Sequence, residues 1–276
     1  MLKTRIITAL VLLAVLLPVL YSNNYTAFAV VATAFFGAAI WECFRLFNPK
    51  SGQAAIVAAF WTLAFAWAFF GPNQPNPMFW YAISVTLWVL AFTPTLKTGL
   101  PPLNTTSNTL FSVVYAVSVV GCFAAIVALF AYSPLYLLSV LALVWIADVF
   151  AYFSGKAFGK RKLAPSISPG KSWEGAIGGA IAVLVISTLV IVFGGEAVAN
   201  TFPVRVQASL GWPATYLILV LVAAASVVGD LFESQLKRRA GMKDSSNLLP
   251  GHGGVLDRID ALVPVLPLAA LIGNWL

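Results

Sequence analysis

Charged residues are scarce in this chain. They make up 9% of 276 residues, with nine acids, sixteen Lys/Arg and a single histidine, His252. Soluble domains carry about 25% charge, so a water-exposed globular fold is excluded. Cysteine is limited to two residues, Cys43 and Cys122, which excludes a disulfide framework and a cysteine-based zinc site. Both lie inside apolar runs and read as small buried side chains. Acid is nearly missing from residues 1–108, where Glu42 stands alone.

What fills the chain is hydrocarbon: 61% of it is hydrophobic. A bilayer-spanning helix needs about 17–25 apolar residues. Such runs recur at about 6–20, 26–44, 52–70, 79–96, 109–131, 134–153, 174–193, 210–232 and 259–275, the first being short. Turn clusters such as 71–77 separate them. The pattern predicts an all-α polytopic integral membrane protein of about nine transmembrane helices, forming one integral membrane domain over 1–276. Lys3 and Arg5 followed by Ile6–Leu20 resemble a signal peptide, but the small-residue triplet Ala27-Phe28-Ala29 lies too far on, so a retained span is expected. Trp41, Trp61, Trp67, Trp80 and Trp88 near run ends fit interfacial belts.

With the N-terminus in the cytosol, Arg205 is the one Lys/Arg of sixteen that falls outside. Lys50 counts among the inner charges. This positive-inside pattern sets the N-terminus cytosolic and the C-terminus outside. It accounts for the formal net charge of +7 without a nucleic-acid partner, and points to a bacterial inner membrane.

Residues 1–108 read as mainly scaffold spans. From 144 to 260 seven of the nine acids gather in three blocks, expected on the cytosolic side or within a turn or two of it. The first is Asp148-x3-Tyr152-x2-Gly155-Lys156-x2-Gly159-Lys160. Asp148, Tyr152 and Gly155 recur at i, i+4 and i+7 and share one helix face. A carboxylate beside hydrocarbon is expensive and marks function by default; the plainer alternative pairs Asp148 with a lysine on a neighbouring helix. The second block, Ser168-Pro169-x-Lys171-Ser172-x-Glu174-Gly175, is a turn. Ser172 sits where it can cap the span starting near Glu174, and a helix N-terminus beside Lys171 suits an oxyanion; capping alone is the alternative. Gly-Lys-Ser lacks the spacing and the strand of a P-loop. Gly175 and Gly179 form a small-residue step of the kind that packs helices.

The third block covers 229–260. Asp230 and Glu233 are i, i+3 at the end of one span, and Asp257 and Asp260 are i, i+3 at the start of the next. The Pro250–Gly254 stretch reads as a hairpin-like return that lets the two pairs meet. Four carboxylates repel one another without a cation, and with Mg²⁺ they make a hard-oxygen site. Lys237, Arg238, Lys243 and Arg258 would balance phosphates at its rim.

The run Ser234-x-Leu236-Lys237-Arg238-x4-Lys243-Asp244-x-Ser246-x2-Leu249-Pro250-x-His252-Gly253-Gly254-Val255-x-Asp257-Arg258-Ile259-Asp260 resembles the signature of phosphatidate cytidylyltransferases, also called CDP-diacylglycerol synthases. The two earlier blocks are similar to the same family's. The resemblance covers roughly the C-terminal half, since the first hundred residues match only as apolar spans. It implies that CTP and phosphatidic acid yield CDP-diacylglycerol and pyrophosphate with Mg²⁺, alone or with a second cation, in a homodimer among membrane lipids. On this reading Asp230, Asp257 and Asp260 carry metal, with Asp148 and Glu233 in or just behind its ligand shell. Lys237 and Arg238 join them in catalysis. Lys171, Ser168, Ser172, Arg258, Lys243, Tyr152 and Lys156 bind substrate. His252 contacts nucleotide or phosphate rather than serving as a base. Two rivals remain: a CTP-dependent polyprenol or phytol kinase, which would release CDP, and an ion-coupled transporter, which would place its acids near the midplane.

Overall fold

A computed structural model describes residues 2–22, 24–49, 52–72 and 74–276; Lys50 lies outside these. Each predicted apolar run falls on a helix. In chain order these are α1 (Leu2–Ser22), α2 (Tyr25–Phe47), α3 (Ala54–Phe70), α4 (Pro77–Leu87) continuing through a π turn (Trp88–Phe92) into α5 (Thr93–Thr98), α6 (Thr106–Tyr132), α7 (Pro134–Phe158), α8 (Trp173–Phe193), α9 (Phe202–Arg239) and α11 (Leu262–Gly273), with the short α10 (Leu256–Ile259) before the last. Among the described residues, six are long and apolar enough to cross a membrane: α2, the α4–α5 continuum, α6, α7, α8 and α9. Helices α3 and α11 are apolar but shorter.

The punctuation between runs is what starts the helices. Asn24, Asn76, Ser133 and Ser172 each turn a side-chain oxygen to a backbone N–H of the helix that follows, the usual partner for an orphan N-terminal donor. Pro77 and Pro134 sit in the first turn, where the missing N–H costs nothing. Helix α6 runs through the centre. Phe130 stacks on Phe28 of α2 with ring centroids 3.8 Å apart, and Phe123 meets Phe36 edge-on at 5.4 Å. In contrast Ile177, Ile181, Val185 and Leu189 form an exposed stripe along α8. A helix-length aliphatic face of this kind suits lipid, not water.

Three features depart from the sequence pattern. Trp88 is buried rather than interfacial, because the π turn brings it and Phe92 onto Phe232 of α9, at centroid distances of 5.4 and 5.0 Å. The stretch before the span at 210–232 is also helical; Phe202 and Val206 bury it fully, and the chain bends at Gly211, φ +74°, just ahead of Pro213. Finally, the turn of the second block is a small antiparallel hairpin of β1 (Lys162–Ala164) and β2 (Ser168–Ser172), the one sheet among the described residues of an otherwise helical fold.

Candidate active site

Helices α7 and α8 pack closely because their contact is glycine. A Cβ on Gly175 would lie 2.8 Å from the Ala151 carbonyl oxygen, and one on Gly179 would lie 2.5 Å from that of Ala147. The Gly175/Gly179 step is therefore a packing device, as its spacing suggested. Ser172 caps α8 through Gly175 N–H at 3.2 Å. Glu174 accepts from the N–H groups of Lys160 and Arg161 and from Arg161 Nε at 3.3 Å. That carboxylate clamps the hairpin onto the helix start and turns Lys171 toward α9, where its ammonium pairs with Asp230.

On α9, Gly229 admits the chain beyond the loop: a Cβ there would meet the Asp260 carbonyl at 2.4 Å and Pro264 at 2.9 Å. Asp230 and Asp260 thereby come to one place. Two turns on, Lys237 joins the two carboxylate pairs physically. Its Nζ contacts fully buried Glu233 on one side and Asp257 Oδ1, at 2.6 Å, on the other. Asp257 Oδ2 accepts from Ser245 N–H at 2.8 Å, Ser245 Oγ at 2.9 Å and Gly254 N–H at 2.8 Å. The intervening hairpin closes with Leu249 N–H to Gly253 O and His252 N–H to Leu249 O, both 2.8 Å. Gly251 and Gly253 adopt φ of +77° and +83°, open to glycine at little cost.

These elements enclose a cavity of about 570 Å³. Asp148, Tyr152 and Lys156 line it from α7, Ser168, Lys171 and Ser172 from the hairpin, Asp230 from α9, and Asp257, Arg258 and Asp260 from the turn beyond the loop. The shared face expected for Asp148, Tyr152 and Gly155 is present. The lining also includes small apolar residues, Ala147, Ala151, Ala176, Ala180 and Ala223. Other expected residues stand elsewhere. Glu233 and Lys237 lie behind the lining. Arg238 and Lys243 are exposed and away from it. His252 is also off the lining, and its Nδ1 is enclosed without a partner; its carbonyl accepts from Arg258 Nε at 3.0 Å.

Glu42, read as scaffold, is the residue that sequence reasoning missed. Its fully buried carboxylate accepts from Ser245, Ser246, Val255 and Leu256 of the signature loop. The signal was available: it is the sole acid of the first 108 residues and lies inside an apolar span, the same argument that singled out Asp148.

The chain matches the Cytidylyltransferase family over residues 3–276. It belongs to that family. A phosphatidate cytidylyltransferase of Haemophilus influenzae is 36% identical over 97% of this chain and 96% of its own length. Those of Pseudomonas aeruginosa and Bacillus subtilis are 49% and 41% identical, each over 49% of this chain and 46% of their own length.

A magnesium ion, which the family resemblance implies, can be tested against the donors of this cytidylyltransferase. Among the described residues no three carboxylate, thiol or imidazole groups converge closely enough to hold a metal as they stand. The donors nonetheless fit a hard cation in kind: Asp148, Asp230 and Asp260 reach the same cavity, and all offer oxygen. Lys171 supplies the positive charge on Asp230 in their midst. Asp257 is different. A carboxylate has about four acceptor sites; its Oδ2 already takes three donors, and its Oδ1 takes only Lys237.

Proposed function

We propose that this cytidylyltransferase joins CTP to phosphatidic acid, giving CDP-diacylglycerol and pyrophosphate for phospholipid biosynthesis. A phosphate oxygen of phosphatidate attacks the α-phosphorus of CTP. That P–O bond forms as the bond to the β-phosphate breaks, and pyrophosphate leaves with the bonding electrons. The nucleophile is already ionised near neutral pH, so no strong base is required, and His252 is free for a binding role. The chemical demand is to hold two polyanions in line.

The observation that carries this reading is a single cavity lined by both small apolar and charged residues. Its alanines suit the glycerol and acyl portion of a lipid, while Lys156, Lys171, Arg258 and the capped start of α8 suit phosphates. Asp148, Asp230 and Asp260 would hold Mg²⁺, alone or with a second cation, with Asp257 contributing through Oδ1 and Glu233 standing behind. Magnesium, when bound, supplies charge that neutralises the triphosphate and polarises its phosphoryl oxygens.

We also propose nine spans with the N-terminus and the cavity facing the cytosol of a bacterial inner membrane, the C-terminus outside, and a homodimer as the working unit. Helix order supports the orientation. Pro77, Tyr132, Arg205 and Leu276 line a second, smaller cavity together, so the segments expected outside share one end, away from the charged blocks.

The test is to offer labelled CTP and phosphatidic acid to the purified protein. Lipid-linked label and pyrophosphate should appear, and a chelator should stop both. Release of CDP would indicate a kinase, and substrate counterflow without product would indicate a transporter.

A further inference from the structure

Glu42 lies on α2, about two hundred positions before the residues it binds. Its Oε1 faces Ser246 Oγ and Val255 N–H, the latter at 3.0 Å, and its Oε2 faces Ser245 Oγ at 3.1 Å and Leu256 N–H at 2.6 Å. Four donors meet the four acceptor sites of one carboxylate. Two of them are the N–H groups that open α10, a helix of four residues whose first turn has no cap of its own. Glu42 satisfies those donors from across the bundle.

The next contacts lead to the cavity. Ser245 Oγ stands between two carboxylates, 3.1 Å from Glu42 Oε2 and 2.9 Å from Asp257 Oδ2, sharing one proton between them. Arg45, one turn along α2 from Glu42, donates to the Ser245 carbonyl at 2.9 Å while its guanidinium lies over Trp41. From α1, Thr8 donates to the Pro250 carbonyl at 2.7 Å. Gly254 fits against the same anchor: a Cβ there would sit 2.1 Å from Ser245 Oγ and 2.3 Å from Glu42 Oε1.

We propose that Glu42 is a positioning residue of this enzyme, holding the 244–256 loop in the one shape that presents Asp257 and Arg258 to the cavity. The apolar N-terminal half thus sets the geometry of a site whose lining residues all come from the other half. Glutamine is a demanding substitute, because it offers one accepting oxygen and turns an NH₂ group toward two donors. This role rests on the cytidylyl-transfer reading for its turnover measurement but not for its structural one.

The experiment compares full-length wild type, Glu42→Gln and Glu42→Asp in detergent, with CTP and phosphatidic acid as substrates and amide hydrogen exchange as the second measurement. Misplacing reacting groups by about 1 Å costs on the order of a hundredfold. Glu42→Gln should therefore lose about 10–100-fold in kcat with a smaller change in the KM for CTP. Its exchange should rise within 244–256 while α2 and α6 stay protected. Glu42→Asp keeps four acceptor sites and should recover part of the rate.

Wild-type turnover by Glu42→Gln overturns the proposal. So does exchange that rises throughout α2 and α6, which would make Glu42 a general packing residue. Should Glu42→Gln fail to accumulate, Glu42→Asp against wild type decides on the same two measurements. If the wild type itself forms no CDP-diacylglycerol, the functional reading fails while the exchange comparison still judges Glu42.

Discussion

Lys237 is the smallest unit on which the site depends. Among the described residues it is the one group that meets the carboxylate of Glu233, which is fully buried, and it also reaches Asp257. Removing one partner of a buried ion pair leaves an uncompensated charge, at a cost of about 3–5 kcal/mol. Lys237→Met should therefore lower the thermal midpoint in detergent sharply, and adding Glu233→Gln should restore most of it; equal midpoints for the single and double variants would dissolve the pair's importance. Asp257 carries a different signature. Burial favours its neutral form, yet the hydrogen bonds from Lys237, Gly254 and Ser245 outweigh burial and hold its carboxyl below the ordinary value. A depressed folded value means that the unfolded chain takes up the proton first as pH falls. The stabilisation is thus complete above the ordinary carboxylate range, about 3.9, and is lost as pH drops through the lower folded value. The gap in thermal midpoint between wild type and Asp257→Asn should be constant from about pH 8 to about 5 and narrow only in stronger acid. A gap that closes near neutrality would contradict this account. Near pH 7 the same variant should accumulate yet form no detectable CDP-diacylglycerol.

At the scale of elements, two glycine contacts set the cavity's shape. Gly175 lets α8 approach α7 so closely that an added Cβ meets the Ala151 carbonyl oxygen at 2.8 Å and Gly155 Cα at 3.2 Å. Those neighbours are backbone and cannot swing aside. Gly175→Ala should push the helices apart, costing about 1–3 kcal/mol as overpacking does, and should weaken turnover by shifting Lys156 and Lys171 relative to Asp230. A variant with unchanged melting and kinetics would show that the contact is slack. Much of this arrangement was legible beforehand, because helix periodicity puts Asp148, Tyr152 and Gly155 on one face and a serine before an apolar run is a cap. The hairpin strands were not, since three- and five-residue strands carry too little pattern to separate from a turn. Nor was the π turn at Trp88–Phe92, whose extra residue per turn leaves no mark in composition and which decides that Trp88 packs inward.

Over the whole molecule, the apolar runs were readable as helices because small polar residues break them, and among the described residues six of those helices have the length and hydropathy to cross a membrane. What stayed hidden was contact between distant segments. Glu233 and Lys237 are i, i+4 on one helix, but Lys237 reaching on to Asp257, and Glu42 gripping the signature loop, depend on how helices pack rather than on any local spacing. That packing places the 162–172 hairpin and the turn bearing Asp257, Arg258 and Asp260 around one cavity, while Pro77, Tyr132 and Arg205 gather at another. If the charged end is cytosolic, as proposed from the distribution of lysine and arginine, the turn ahead of Pro77 faces the opposite side. The chain suits a direct test, since its natural thiols Cys43 and Cys122 are both buried and free and give little background. In sealed inside-out vesicles, a membrane-impermeant maleimide should label Lys160→Cys and leave Gln74→Cys unmodified, and right-side-out vesicles should give the reverse. Labelling of both from one side would mean that the odd number of crossings is wrong, and the assignment of the cavity to the CTP-containing compartment would fall with it.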